Sequence, residues 1–230
     1  MTTSIIGVTG IETTTPAFRA ALVRTAQAIG IDPDHLATVI SFETGGSFDP
    51  TETNPKSGAI GLIQFTSAAI VGPPSLGTTR AALAQMTAEQ QLDYVRRYYA
   101  IKNFAPGHSH SLEDTYYAVI WPAAIGKAPG TILMQQGSTA LCPGTHKTMD
   151  DCYNQNIGFD VPQNGVRKGY ITASDIGQKI RARYQQGLAR PRVAVVGGGL
   201  AVPGGSGGAA IFVLALGAGA AYLYSRRNRR

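Results

Sequence analysis

The sequence predicts a mainly helical domain followed by a separate C-terminal segment. Three observations carry that reading. Apolar residues recur at helical spacing in segments that open on recognisable caps, turn-forming residues crowd the intervals between them, and residues 207–224 contain no charge at all. With 43% hydrophobic and 15% charged residues in 230, the chain is far from a disordered composition and can bury one full core with some length left over.

Residues 1–15 read as a loose, Thr-rich leader. It has no basic start, and its apolar run Ile5-Ile6-Gly7-Val8 is too short for a signal peptide. The first helix is expected from Pro16 to Ile29, where Phe18, Leu22, Ala26 and Ile29 share a face and Gly30 stops it. Asp32-Pro33 then reads as an N-cap with proline at the first helical position. Leu36, Val39 and Ile40 bury that second helix, and Glu43 falls at its C-terminal end, ahead of Gly45-Gly46. Residues 44–61 are dense in Gly, Pro, Asn, Asp, Ser and Thr and read as a loop or irregular hairpin. A short helix is expected from Leu62 to Ile70, closed by Gly72-Pro73-Pro74. Thr87 and Gln90 form a capping box for a helix through Leu92, Val95 and Tyr99. Ser111 and Asp114 make a weaker box for the next, through Tyr117 and Ile120, with Pro122 interrupting it. Residues 128–170 read as loop. A last helix starts at Thr172 and Asp175 and runs through Ile176, Ile180 and Tyr184.

From Gly187 the composition changes to a Pro/Gly-rich linker, 187–206. The uncharged stretch that follows is long enough, as a helix, to cross a hydrocarbon core of ~30 Å. Tyr222 and Tyr224 lie where interfacial aromatics belong, and Arg226, Arg227, Arg229 and Arg230 follow. The expected organisation is therefore leader 1–15, domain 16–186, linker 187–206, transmembrane helix 207–225 and basic tail 226–230. Four of the six net positive charges sit in that tail, leaving +2 on residues 1–225. A near-neutral body argues against nucleic acid as a partner. The lipid membrane is the partner expected for residues 207–225.

Cys142 and Cys152 flank a small loop. They are consistent with a disulfide or with two free thiols. With His146 the one histidine between them, no structural zinc site is expected, and no cofactor is. Asp160, Asn164, Gly165, Ile171 and Asp175 follow a calcium loop only loosely, because Pro162 takes a ligand position and residues 166–169 are additional; the loop reads as degenerate. His108 and His110 sit in a polar loop with no carboxylate partner evident.

The chemistry concentrates at Glu43, in Ser41-Phe42-Glu43-Thr44-Gly45-Gly46-Ser47-Phe48, and at Ser57-Gly58-Ala59-Ile60-Gly61-Leu62-Ile63-Gln64-Phe65. A carboxyl at the end of an apolar helix, desolvated by Phe42, Phe48 and Phe65, would have a raised pKa. A group that protonates a glycosidic oxygen needs this. These two segments resemble the core motif of lytic transglycosylases and goose-type lysozymes, with Ile63 in place of the usual Met. Leu92-Asp93-Tyr94-Val95 and Thr115-Tyr116-Tyr117-Ala118 are similar to the family's downstream helices, and the likeness spans roughly residues 16–135. It implies an α+β lysozyme-like fold, with Glu43 as sole acid/base. Glu43 would protonate the oxygen between N-acetylmuramic acid and N-acetylglucosamine, then take the proton of the muramoyl 6-hydroxyl as a 1,6-anhydro ring closes. Ser57, Ile63 and Gln64 would line the glycan groove, with Tyr116 or Tyr117 beside the acid. The family's Ala-Tyr-Asn-x-Gly segment is absent here.

Asp49 and Glu52 are the candidate second carboxylates for a hydrolytic muramidase of the same fold. A non-catalytic wall-binding virion protein is the reading from another class. Positive-inside topology keeps the arginines cytoplasmic and the domain outside, yet no export signal is read. Assembly into the membrane of a bacteriophage particle, with virion membrane or coat proteins as partners, resolves this. A bacterial envelope protein is the alternative.

Overall fold

The computed structural model describes residues 4–195 apart from Lys56 and Pro73. The expected transmembrane helix 207–225 and tail 226–230, and the linker beyond Val195, lie outside the described residues. Among the described residues no helix is long and apolar enough to cross a membrane. The fold is mixed α+β, with helices predominating over two small antiparallel sheets.

The chain begins with strand β1 (Ser4–Ile5) and a 3-10 turn at Ile11–Thr13. Helix α1 (Pro16–Ala28) starts at Thr15, whose hydroxyl accepts from the Phe18 N–H. Helix α2 (Pro33–Glu43) starts at Asp32, whose carboxylate accepts from the Asp34 N–H. α1 starts at Pro16 as expected, and α2 follows the expected Asp32 cap. The helix expected over 62–70 begins later: α3 is Ser67–Val71, capped by Thr66. Residues 61–65 instead form a tight turn, with Gly61 and Gln64 at positive φ (81° and 51°) and Ile60 bridged to Phe65. Helix α4 (Arg80–Ala84), capped by Thr79, was not anticipated. Helices α5 (Ala88–Ile101) and α6 (Leu112–Ile120) open on Thr87 and Ser111 as expected, and Pro122 starts a separate 3-10 turn.

The stretch 128–170 is not simply loop. It holds strand β2 (Ile132–Gln135) and helix α7 (Met149–Gln155), the latter opened by a Thr148/Asp151 capping box. Strand β3 (Tyr170–Thr172) leads directly into helix α8 (Ala173–Leu188). β2 and β3 pair antiparallel, Gln135 opposite Tyr170 and Ile132 opposite Thr172, with an irregularity between Ile132 and Met134.

Two further expectations are corrected at the ends. Within the leader expected over 1–15, residues 4–15 are not loose: Ile5, Ile6, Val8 and Ile11 are fully buried. Nor does the domain stop at 186. Gly187 lies inside α8, where a Cβ would strike Ile6 and Val8, and strand β4 (Val193–Ala194) pairs antiparallel with β1. Arg192 secures that pairing by gripping both Asp34 carboxylate oxygens (2.9 and 3.0 Å) and the Ser4 carbonyl (2.9 Å).

The core has two clusters. One gathers β1, α1, α5 and one side of α2 through Leu22, Leu36, Ile40, Val95 and Tyr99. The other gathers Val39 of α2, Tyr116 and Tyr117 of α6, Met134, Tyr153 and Ile176. Helices α2 and α6 therefore lie between the two, and Glu43 ends one of them.

Candidate functional site around Glu43

α2 delivers Glu43 at its last turn, where the unpaired carbonyls concentrate partial negative charge. Thr44 ends the helix: its hydroxyl donates to the Ile40 carbonyl (2.8 Å) and accepts from the Phe48 N–H (3.1 Å). Phe48 sits at φ 53° and turns into the core against Phe18, with ring centroids 5.7 Å apart. Gly45 and Gly46 both take positive φ, as the reversal requires. Glu43 is left at the fixed end of the helix.

The Glu43 carboxyl makes no hydrogen bond or ion pair with any described residue, and burial pushes its pKa up to about 7. Three tyrosines lie close enough to feel its charge. Burial first, and Glu43 second, raises the Tyr98 hydroxyl to about 12, and the same two causes raise Tyr116. Tyr99 is raised by burial, then by Tyr98 and Glu43. Tyr98 donates to the Ala118 carbonyl (2.8 Å) and Tyr99 to the Thr115 carbonyl (2.9 Å), so both are spoken for by the α6 backbone. Tyr116 makes no hydrogen bond with a described residue. Its ring meets Phe42 edge-on at 5.3 Å, which sets it beside the end of α2. Phe65 reaches the site only from behind, against Tyr98 at 6.2 Å. Three tyrosines thus join the surroundings of Glu43 beside the phenylalanines expected there.

The two candidate tyrosines separate. Tyr117 points the other way: its hydroxyl donates to the Ala173 carbonyl at 2.6 Å, and its charged neighbours are Glu113, Arg181 and Asp114. Gln64 sits in the tight turn and its amide donates to the Glu52 (3.2 Å) and Gly61 (3.1 Å) carbonyls. Ile63 is buried in the core. Ser57 is exposed, and its hydroxyl accepts from the Ala59 N–H at 3.3 Å, a local turn bond. Asp49 Oδ1 accepts from the Thr51 N–H and hydroxyl, and Glu52 accepts from the Ser47 hydroxyl. Neither contributes to the Glu43 shift.

Sequence reasoning missed Gln91. It is fully buried on α5; Oε1 accepts from the Leu62 N–H (3.1 Å), while Nε2 donates to the Pro50 (2.7 Å) and Leu83 (2.8 Å) carbonyls. A Cβ at Gly61 would overlap the Gln91 Oε1. One side chain thus fastens the loop after Glu43 to α5, and its position beyond the Thr87/Gln90 box gave no local hint. Tyr98 also walls a cavity of about 250 Å³ bounded by Thr66, Ala69, Lys102, Val119 and Pro122, which Glu43 does not line.

Among the described residues no three His, Cys, Asp or Glu side chains converge on a metal-sized site. Asp160 is buried and accepts from the Tyr153 hydroxyl and the Lys168 and Gly169 N–H groups, while Asp175 is held by Lys168 and Thr172. His110 stacks on Phe104 at 3.8 Å. In comparisons with known proteins, no family profile, curated protein or solved structure matches the chain.

Proposed function

We propose that the chain is a peptidoglycan lytic transglycosylase in which Glu43 alone serves as acid and base. The observation that carries this reading is the state of Glu43: a carboxyl fixed at a helix end, without a partner among the described residues, with a pKa near 7. At neutral pH such a group is divided between acid and base. It can therefore donate a proton to the leaving glycosidic oxygen in one step and accept one from the 6-hydroxyl in the next. Burial is the one cause of the shift, and no second carboxylate adds to it, which supports the single-acid route. Tyr116, with its hydroxyl uncommitted beside Glu43, is the group suited to orient the sugar or steady the developing charge. The likeness of Glu43 and the Gly61–Gln64 segment to the transglycosylase motif supports the same substrate.

Membrane anchoring through residues 207–225, and action in the membrane of a phage particle during penetration of the host wall, extend the proposal from the sequence alone. The test is incubation of the full chain with purified peptidoglycan and mass spectrometry of the soluble products. Anhydro-muropeptides are expected. Products with free reducing ends would instead make the protein a hydrolytic muramidase. No release would overturn catalysis and leave wall binding, and the same release by Glu43→Gln would overturn catalysis at Glu43. Presence of the protein in purified virions rather than in the envelope of uninfected bacteria tests the setting.

A further inference from the structure

Cys142 and Cys152 are the only cysteines of the chain, and the proposed reaction uses neither. They belong to one small motif. Cys142 opens a hairpin closed by the bridge between Leu141 and Thr148, and the returning arm runs into α7, which carries Cys152. The Cys142 N–H donates to the Lys147 carbonyl (2.8 Å) and the Cys152 N–H to the Thr148 carbonyl (3.0 Å). Thr145 spans the two: its hydroxyl donates to the Cys142 carbonyl at 3.1 Å and lies 3.8 Å from the Cys152 sulfur. Both cysteines are free thiols in this structure, the Cys142 thiol donating to the Leu133 carbonyl at 3.6 Å; Cys152 stands near enough to help raise the Cys142 pKa, and both are buried among Leu133, Met134, Tyr153 and Ile171. His146 is exposed, and no metal-sized group of ligands includes the pair among the described residues.

We propose that Cys142 and Cys152 form an intrachain disulfide that clips the 141–148 hairpin to α7. The oxidant is a small disulfide of the glutathione class. The thiolate of one cysteine attacks one sulfur of that disulfide, giving a protein mixed disulfide and one released thiol. The second cysteine, as thiolate, then attacks the protein sulfur of the mixed disulfide and expels the other thiol. Two protein thiols and one small disulfide become one protein disulfide and two small thiols, with both protein protons leaving on the latter. Burial keeps the oxidant away from the folded motif, and it also pushes the Cys142 thiol up to about 12, holding it protonated at neutral pH. The bond therefore forms as the segment folds, and is shielded afterwards.

The experiment refolds the full chain from denaturant in a mixture of reduced and oxidised glutathione. It then alkylates remaining thiols under denaturing conditions and reads intact mass. The expected product is monomeric, unalkylated and about 2 Da lighter than the dithiol form. Its thermal midpoint should lie roughly 5–10 °C above that of the reduced protein, and Cys142→Ser or Cys152→Ser should abolish that rise. Two alkylated cysteines, stable glutathione adducts, or disulfide-linked dimers as the end product would overturn the proposal. The readout is independent of turnover, so the inference stands or falls apart from the reaction at Glu43.

Discussion

At Glu43 the protonation state links turnover and stability. Its folded pKa is near 7 against an ordinary value of 4.5, so the folded protein holds the proton more tightly than the unfolded chain does. The associated stability is fully present below pH 4.5 and is lost as pH rises through 7, by about 3 kcal/mol. Glu43→Gln, which keeps the shape without the charge, should therefore be more stable than the native protein at pH 8 and indistinguishable below pH 4.5. Paired thermal melts across that window check it. The same substitution should reduce glycan cleavage by about 10³-fold or more, and kcat/KM of the native enzyme should decline above pH 7 as the acid ionises. The two tyrosines of α6 make a sharper contrast. Tyr116→Phe should lower kcat by about 10–100-fold with little change in stability, because its hydroxyl bonds no described residue and is free for the transition state. Tyr117→Phe should do the reverse, losing about 1 kcal/mol with its bond to the Ala173 carbonyl while activity persists. The place of Glu43 at a helix end was legible in the sequence because its cues are adjacent: an apolar helix before it, two glycines after it. The nearness of Tyr98 and Tyr99 was not, since it exists only in the folded chain.

Among the elements, the helices read from the sequence start on side-chain caps, although α4 and α7, capped by Thr79 and Thr148, went unread. Thr15, Asp32, Thr87, Ser111 and Thr172 each accept a bond from within the first turn, so the signal and the structure it starts are a few residues apart. The turn at 61–65 was misread as helix because its apolar residues suit either state, and what decides against helix is distant. Gln91 lies 29 residues from Leu62 and 41 from Pro50. Gln91→Ala should strand a buried N–H and two carbonyls and destabilise the protein by about 3 kcal/mol, measured by urea unfolding. Cleavage should fall by more than the unfolded fraction explains, because the Gln64 turn loses its attachment to α5. Strands β2 and β3 were hidden for another reason. They are short, and their burial comes from α7 and α8 rather than from alternation along their own sequence.

For the molecule as a whole, the ends are structural members. Arg192 reaches Ser4 across 188 residues and closes on Asp34, which also accepts from the Ile6 N–H. Cutting the chain after Gln186, where composition suggests the domain stops, should uncover Ile5, Ile6 and Val8. The truncated protein should unfold at markedly lower urea than one ending after Gly198, and the difference should show as a lower midpoint in matched titrations. Arg192→Ala in the full chain should reproduce part of that loss, about 1–3 kcal/mol, by leaving Asp34 without its ion partner. Composition was a poor guide because Gly187 and Pro191 signal linker locally, while Gly187 is there to let α8 approach Ile6 and Val8.

The pairing of β1 with β4 also fixes the order in which the protein can be completed. A chain leaving the ribosome presents Ile5 and Ile6 first and their covering strand nearly two hundred residues later. The amino-terminal part cannot seal in advance of the rest, as a domain built from successive local units would. Until Arg192 arrives, the helix that ends in Glu43 lacks its clasp at Asp34, so a nascent or prematurely terminated chain leaves the start of that helix unsecured.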